Sequence, residues 1–248
     1  MTAVTYSSPV LMSLRLAGVA VAAVVLGAAL LLRGPDPLTR PGPEMAPNPV
    51  VLPGGDKLYV QRHEVTVAEW NACHADGGCS IELRARTGLD PVATPATGLS
   101  YVDATEYLHW INATTGHSLR LPTASEWSFM AQSVLPDEPD PIFSDPALTW
   151  ASAYLTEGLA PRGLKLQGSF STSPEGIADL DGSVWEWTQD CYAGVDAGID
   201  IARCPAFIVG GEHVAAMSYL VRDPARGGCA VGSPPAHLGM RLVSDRPF

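Results

Sequence analysis

Apolar positions recur along this chain at three different spacings, and each predicts a different element. Residues 16–32 form an unbroken apolar run between Arg15 and Arg33, extended upstream by Val10, Leu11, Met12 and Leu14. At about 1.5 Å per residue, a helix over roughly residues 11–32 just crosses a hydrocarbon core if Arg15 snorkels to the interface. The run is longer than the apolar region of about 7–15 residues in a cleaved signal peptide, and Leu30-Leu31-Leu32-Arg33 is a poor cleavage site. An uncleaved membrane anchor over residues 1–33 is therefore expected. Further on, the spacing becomes helical. Tyr101, Ala104, Tyr107, Leu108 and Ile111 recur three and four apart, as one buried face of a helix requires. The strongest alternation lies in residues 179–187, where Trp185 and Trp187 flank Glu186. In an extended chain the two indoles face one way and the carboxylate the other.

Three helix starts share one chemistry. Thr66, Ser100 and Thr123 each precede a carboxylate three residues on, at Glu69, Asp103 and Glu126. The hydroxyl satisfies an orphan N–H, and the carboxylate reaches back to the cap while favouring the positive helix end. The first helix is expected to reach His74, the second to end before Gly116, and the third to carry Trp127, Met130 and Ala131. Residues 134–146 read as a long surface excursion. Residues 168–170 and 207–211 read as short strands, and residues 238–243 as a terminal strand. Residues 34–53 hold seven prolines, at 35, 37, 41, 43, 47, 49 and 53, and read as an extended spacer between the anchor and a domain over residues 54–248.

Composition narrows the partners. The chain has 248 residues, a formal net charge of −11, and 15 basic residues that never cluster, which argues against nucleic acid as a partner. With 24 glycines and 22 prolines, the domain should be rich in loops rather than a helical bundle. Neither a Gly-rich phosphate loop nor a Gly-x-Ser-x-Gly elbow is present, and no pair of histidines has a ligand spacing such as HxxxH.

The five cysteines bear on the compartment. Cys73 and Cys79 bracket a Gly-rich loop at a helix end, and Cys191 and Cys204 bracket another loop. Each pair suits a disulfide and neither has a metal-ligand spacing, leaving Cys229 over. Two disulfides place the domain in an oxidising compartment, on the periplasmic or extracellular side of the cytoplasmic membrane. The alternative is a set of reduced, buried thiols.

Residues 63–70 (HEVTVAEW), 120–127 (RLPTASEW), 179–187 (DLDGSVWEW), Gly210-Gly211 and 238–243 (LGMRLV) together resemble the formylglycine-generating enzyme family, the sulfatase-modifying-factor domain. The motifs occur in the family's order. The resemblance implies an α+β, loop-rich, C-type-lectin-like formylglycine-generating-enzyme fold, here preceded by one transmembrane helix. It also implies a calcium site at the GxVWEW turn, with Ser183 in place of the family's asparagine, a main-chain carbonyl at Val184 and the Glu186 carboxylate as ligands. A hydroxyl is a weaker ligand than an amide carbonyl, and the alternative is that Glu186 braces the turn by accepting backbone N–H bonds.

Active members of this family oxidise a sulfatase cysteine with O₂ and copper held by two thiolates that follow a GGSW-like turn. Counting from Gly210-Gly211, those positions here are Ala215 and Leu220, while Tyr219 and Arg222 match the family's SYxxR run. An alkyl side chain does not ligate Cu(I), so copper and the cysteine-oxidising chemistry are not expected. Glu212, His213, Tyr219 and Arg222 remain as candidate cleft residues, for acid–base work or, with Arg226, for an anionic group. Internal salt bridging of the arginines and a merely exposed His213 are the plainer alternatives. The reading that follows is a membrane-anchored accessory or binding protein for another envelope or membrane protein, such as a redox complex. The alternative is a thiol-independent periplasmic oxidoreductase or maturation enzyme on the same scaffold. Sulfatase activation itself ranks last.

Overall fold

The computed structural model describes residues 40–135, 163–192, 204–211, 215–224, 229–231 and 237–248. The expected membrane helix, most of the excursion over residues 134–146, and Glu212, His213 and Arg226 lie outside the described residues. Among the described residues no helix is long and apolar enough to cross a membrane.

All three helix starts form as expected. Helix α1 spans Val67–Ala75, α2 Tyr101–Thr115 and α3 Ala124–Ala131, capped by Thr66, Ser100 and Thr123. Each has a complete capping box. In α1 the Thr66 hydroxyl accepts from the Glu69 N–H at 3.1 Å, and the Glu69 carboxylate accepts from the Thr66 N–H at 2.7 Å. Such caps stabilise a helix by about 1 kcal/mol each, which matters most for α1 and α3, only about two turns long. Gly116 ends α2 with φ of 71°, a left-handed conformation that glycine adopts without steric cost.

Among the described residues, nine short strands make two sheets. The first has the order β1 (Val50–Val51), β2 (Lys57–Val60), β9 (Val243–Ser244), β3 (Leu119–Arg120). The second runs β7 (Cys229–Val231), β6 (Ala215–Ser218), β5 (Ala206–Gly210), β4 (Val184–Cys191), β8 (His237–Gly239). Strand β4 is antiparallel to β5 and parallel to β8. Three expectations need correction. The terminal stretch is not one strand: β8 belongs to the second sheet and β9 to the first, with residues 240–242 crossing between them. Residues 168–170 form a turn rather than a strand, pinned because the Asp179 carboxylate accepts from the Gly168 and Phe170 N–H groups. The described part of the spacer is folded onto the domain, which is one unit over Pro41–Phe248. Val50 is buried in β1, and the Ala46 N–H donates to the Val60 carbonyl at 2.8 Å.

The core has two parts, with β4 between them. Trp185 and Trp187 belong to the larger cluster, with Trp70, Tyr107 and Trp110. Trp127 belongs to the smaller one, with Leu58, Ile177 and Leu180. Burying each indole removes about 150–250 Å² from water, worth roughly 4–6 kcal/mol against an extended chain. Two glycines of the β5 end allow this packing. A Cβ on Gly210 would lie 2.1 Å from the Trp127 ring, and one on Gly211 2.3 Å from that of Trp185. The pair therefore faces both clusters, one glycine each.

Candidate functional site

The two-faced alternation of residues 185–187 is realised, but the carboxylate is turned inward. Glu186 is fully buried beside Gly210, on the Trp127 side. Its Oε1 accepts from Arg241 Nη2 at 2.8 Å and Nε at 3.0 Å, and its Oε2 accepts from Trp127 Nε1 at 2.8 Å. Arg241, also fully buried, donates further from Nη1 to the carbonyls of Gln61 and Arg62 and from Nη2 to that of Ala178. All five guanidinium protons are therefore used. The carbonyls come from residues next to β2 and before the GxVWEW turn, so one side chain ties three segments together.

Glu64 meets the same arginine without a share of those protons. Its Oε2 lies 3.7 Å from Arg241 Nη2 and has no hydrogen-bond partner. Burial pushes its carboxyl up to about 8, against the opposing pull of Arg241. The ion-pair distance does not offset the loss of solvent, because no N–H reaches the oxygen. Glu64, Lys165, Phe170, Asp179, Ser183 and Val184 line a small cleft at this corner. Asp179 stands there with φ of 65°, a left-handed conformation unusual for a residue other than glycine. Its carboxylate bonds to the 168–170 turn hold it in place.

The expected calcium ligands Ser183, Val184 and Glu186 do not form a set. Both oxygens of Glu186 are engaged with Arg241 and Trp127, and turning one toward an ion at Ser183 would strand a buried guanidinium. The Ser183 hydroxyl meets the Gly163 carbonyl at 3.5 Å. Among the described residues, no group of three or more His, Cys, Asp or Glu side chains is placed to hold a metal ion. Glu186 braces the fold through the Arg241 and Trp127 side chains, not through the backbone N–H bonds of the alternative reading.

The positions matching the family's thiols lie on β6 and the turn after it. Ala215 pairs with Val209 in the sheet and is buried in the larger cluster, whereas Leu220 is 62% exposed. Neither supplies a donor to a metal. Tyr219 is partly exposed beside Leu220, and its carbonyl accepts from the Tyr101 N–H at the start of α2. Arg222 forms a bidentate pair with Asp103, Nε to Oδ2 and Nη2 to Oδ1, both at 2.7 Å. Asp103 is the third residue of α2 and also accepts from the Ser100 N–H and hydroxyl. Burial raises its carboxyl, but the bonds from Arg222 and Ser100 outweigh this and leave it below the ordinary range. Arg222 thus braces a helix start, as the salt-bridge alternative had it. The structure brings Tyr219, Leu220 and Arg222 together at one end of α2.

Both expected disulfides are formed, Cys73–Cys79 and Cys191–Cys204. The first closes α1 against an aromatic group in which Trp70 stacks on Tyr107 at 5.6 Å. The second joins the end of β4 to the start of β5, where Tyr101 stacks on Phe207. Sequence reasoning overlooked Glu64 and Arg241 as a pair, and Asp103 as the partner of Arg222. The signal was present: a lone arginine inside the apolar stretch 238–243 must be buried, and a buried arginine requires carboxylates.

This scaffold, with helices on capping boxes, a Trp-Glu-Trp strand and a Gly-Gly turn, belongs to a known class. The family model described as "Sulfatase-modifying factor enzyme 1-like domain" (FGE-sulfatase) matches residues 27–246, so the chain belongs to that family. It is 28% identical over 166 residues to the inactive C-alpha-formylglycine-generating enzyme 2 of Bos taurus, covering 60% of this chain and 50% of that protein. It is also 28% identical over 184 residues to the formylglycine-generating enzyme of Mycobacterium tuberculosis, covering 63% of this chain and 59% of that protein. The chain thus spans about half the length of these curated relatives. Among solved structures it is similar to PvdO from Pseudomonas aeruginosa, with a TM-score of 0.51 and 18% identity over 76% of this chain and 80% of that one, which shows the fold.

Proposed function

We propose that this protein is a thiol-less member of the family that acts as an accessory or binding module for another envelope or membrane protein, held at the cytoplasmic membrane by residues 11–32 with its domain on the outer side. The observation that carries this reading is the pair Ala215 and Leu220 at the thiol positions, one sealed in the sheet and the other bare on a turn. Without two soft donors, Cu(I) and the oxygen chemistry it supplies have no holder there. Relatives named as inactive formylglycine-generating enzymes fit a scaffold kept without the chemistry. The two disulfides favour an oxidising compartment. With Arg222 committed to Asp103, the surface around Tyr219 and Leu220 offers contact area rather than an acid–base pair.

Two measurements test the reading. Aerobic incubation of the protein and copper with a Cys-x-Pro-x-Arg peptide is expected to yield no aldehyde, and turnover would overturn the residue argument. Gentle solubilisation from membranes, followed by crosslinking, is expected to recover a stoichiometric partner. A protein that stays alone across mild detergents would remove the accessory role and favour the thiol-independent enzyme instead.

A further inference from the structure

One carboxyl oxygen of the core faces a space instead of a donor. Glu64 is 2% exposed, and its Oε2 has no hydrogen-bond partner among the described residues. The cleft beside it has room for little more than one water-sized group. Lys165 lines the same cleft. Its side chain is exposed, and its ammonium lies over the Phe170 ring, 6.0 Å from the centroid, at the outer limit of a cation–π contact. An ammonium is close to a water molecule in size and carries three N–H donors. The space next to Glu64 therefore fits the group that stands at its edge.

Charged groups face Glu64 from each element packed around it. Arg241, between β8 and β9, has its N–H groups committed to Glu186 and to three carbonyls. Glu186 on β4 and Asp179 in the turn before it add negative charge. Asp179 already accepts from the Gly168 and Phe170 N–H groups. On the stretch that carries Glu64, burial holds the His63 imidazole below its ordinary range, so it is neutral in mild alkali. Arg62 on the same stretch pairs with Glu44. That leaves Lys165 as the cation lining the cleft.

We propose that Lys165 is a two-position latch: its ammonium lies over Phe170 while Glu64 carries a proton, and enters the cleft to pair with Glu64 once that proton is lost. The move is about one water diameter. Glu64 loses its proton at about pH 8 because it is buried. Lysine ammonium groups ordinarily titrate near about 10.4. Between these values a bare carboxylate and a charged ammonium face each other across one water-sized space. A lone buried carboxylate is costly, and a partner that brings both charge and N–H donors offsets that cost. The latch acts on residues 163–170. Gln167 already ties this segment down: its Nε2 donates to the Glu64 carbonyl at 2.8 Å, and its N–H to the Ala93 carbonyl at 2.9 Å. Pairing of Lys165 adds a side-chain tie to the Glu64 stretch, so the segment is held more firmly in mild alkali than at neutral pH.

The test reads Lys165 against an internal control, because the chain has two lysines and Lys57 is exposed on β2. The full chain in mild detergent is briefly treated with trace acetic anhydride between pH 7 and about 9.5. Peptide mass spectrometry then gives the ratio of acetylation at Lys165 to that at Lys57. The ratio is expected to fall at least about fivefold as pH rises through about 8, and to stay level in Glu64→Gln. A level ratio in the parent, or an equal fall in Glu64→Gln, overturns the proposal. Lys165→Met supplies a second readout. Its urea midpoint is expected to match the parent's at about pH 5 and to lie below it at about pH 9, where the ionised Glu64 has lost its partner. Equal midpoints at both pH values, or the same deficit at both, overturn the latch.

Discussion

Replacing Glu64 by glutamine isolates a buried carboxyl whose titration is strongly raised. Its carboxyl is raised from about 4.5 to about 8 because burial outweighs the charge of Arg241, whose five N–H groups are used elsewhere. Since the folded value is raised, Glu64 is protonated in the folded protein while the unfolded chain has already released its proton. Its contribution to stability is complete below about pH 4.5 and is lost as pH rises toward 8. The slope is about 1.4 kcal/mol per pH unit, with a ceiling of roughly 5 kcal/mol over the window. Glutamine has the same shape and no charge, so Glu64→Gln is expected to be near neutral at pH 5. By pH 8 it should exceed the parent by a few kcal/mol, which flattens the stability profile. Urea midpoints between pH 5 and 9, followed through the fluorescence of the six tryptophans, measure this directly. A variant that is destabilised, and increasingly so as pH rises, would show that Glu64 is an ionised partner of Arg241 and refute the reasoning.

Arg241→Met leaves the Glu186 carboxylate buried without its cation, and a loss of about 3–5 kcal/mol is expected in the same urea titration. Gly210→Ala forces a methyl into the Trp127 ring and is expected to cost about 1–3 kcal/mol or more, visible as a lowered Tm. Asp103→Asn weakens the bonds that hold Arg222 and the start of α2. Because the Asp103 carboxyl lies below its ordinary range, its contribution is present at neutral pH and is lost in acid, so the variant's deficit should vanish as pH falls below the folded value. Cys191→Ser with Cys204→Ser opens a loop with a sequence separation of 13, and a loss of about 3 kcal/mol is expected by thermal unfolding.

Local chemistry accounts for what was legible in the sequence. The capping boxes at Thr66, Ser100 and Thr123 involve residues three apart, and all three formed as read. The disulfides were readable because each cysteine pair closes one loop. The motifs of residues 120–127 and 179–187 carried the family because they are short and ordered. The site was harder to read because its pairings are long-range. Arg222 reaches Asp103 across the fold, and Arg241 reaches Glu186, Gln61 and Ala178. No spacing rule links such residues. Calcium was expected from the local neighbourhood of Ser183 and Glu186, whereas the Glu186 carboxylate is taken up by the distant Arg241. The stretch 238–243 read as one strand because Leu238, Met240 and Leu242 alternate along it. Only the tertiary arrangement divides it between two sheets.

Strand β4 has two occupied faces, with Trp185 and Trp187 holding one cluster and Glu186 the other. A partition lined on both sides cannot lose one lining and keep its shape. The two clusters should therefore melt in a single transition, with heat capacity and denaturant sensitivity set by their sum. The slowest-exchanging amides should lie along β4 itself, where Trp187 donates to the Leu99 carbonyl and Trp127 donates to Glu186. A domain that unfolds all at once has no half-open state to offer proteases.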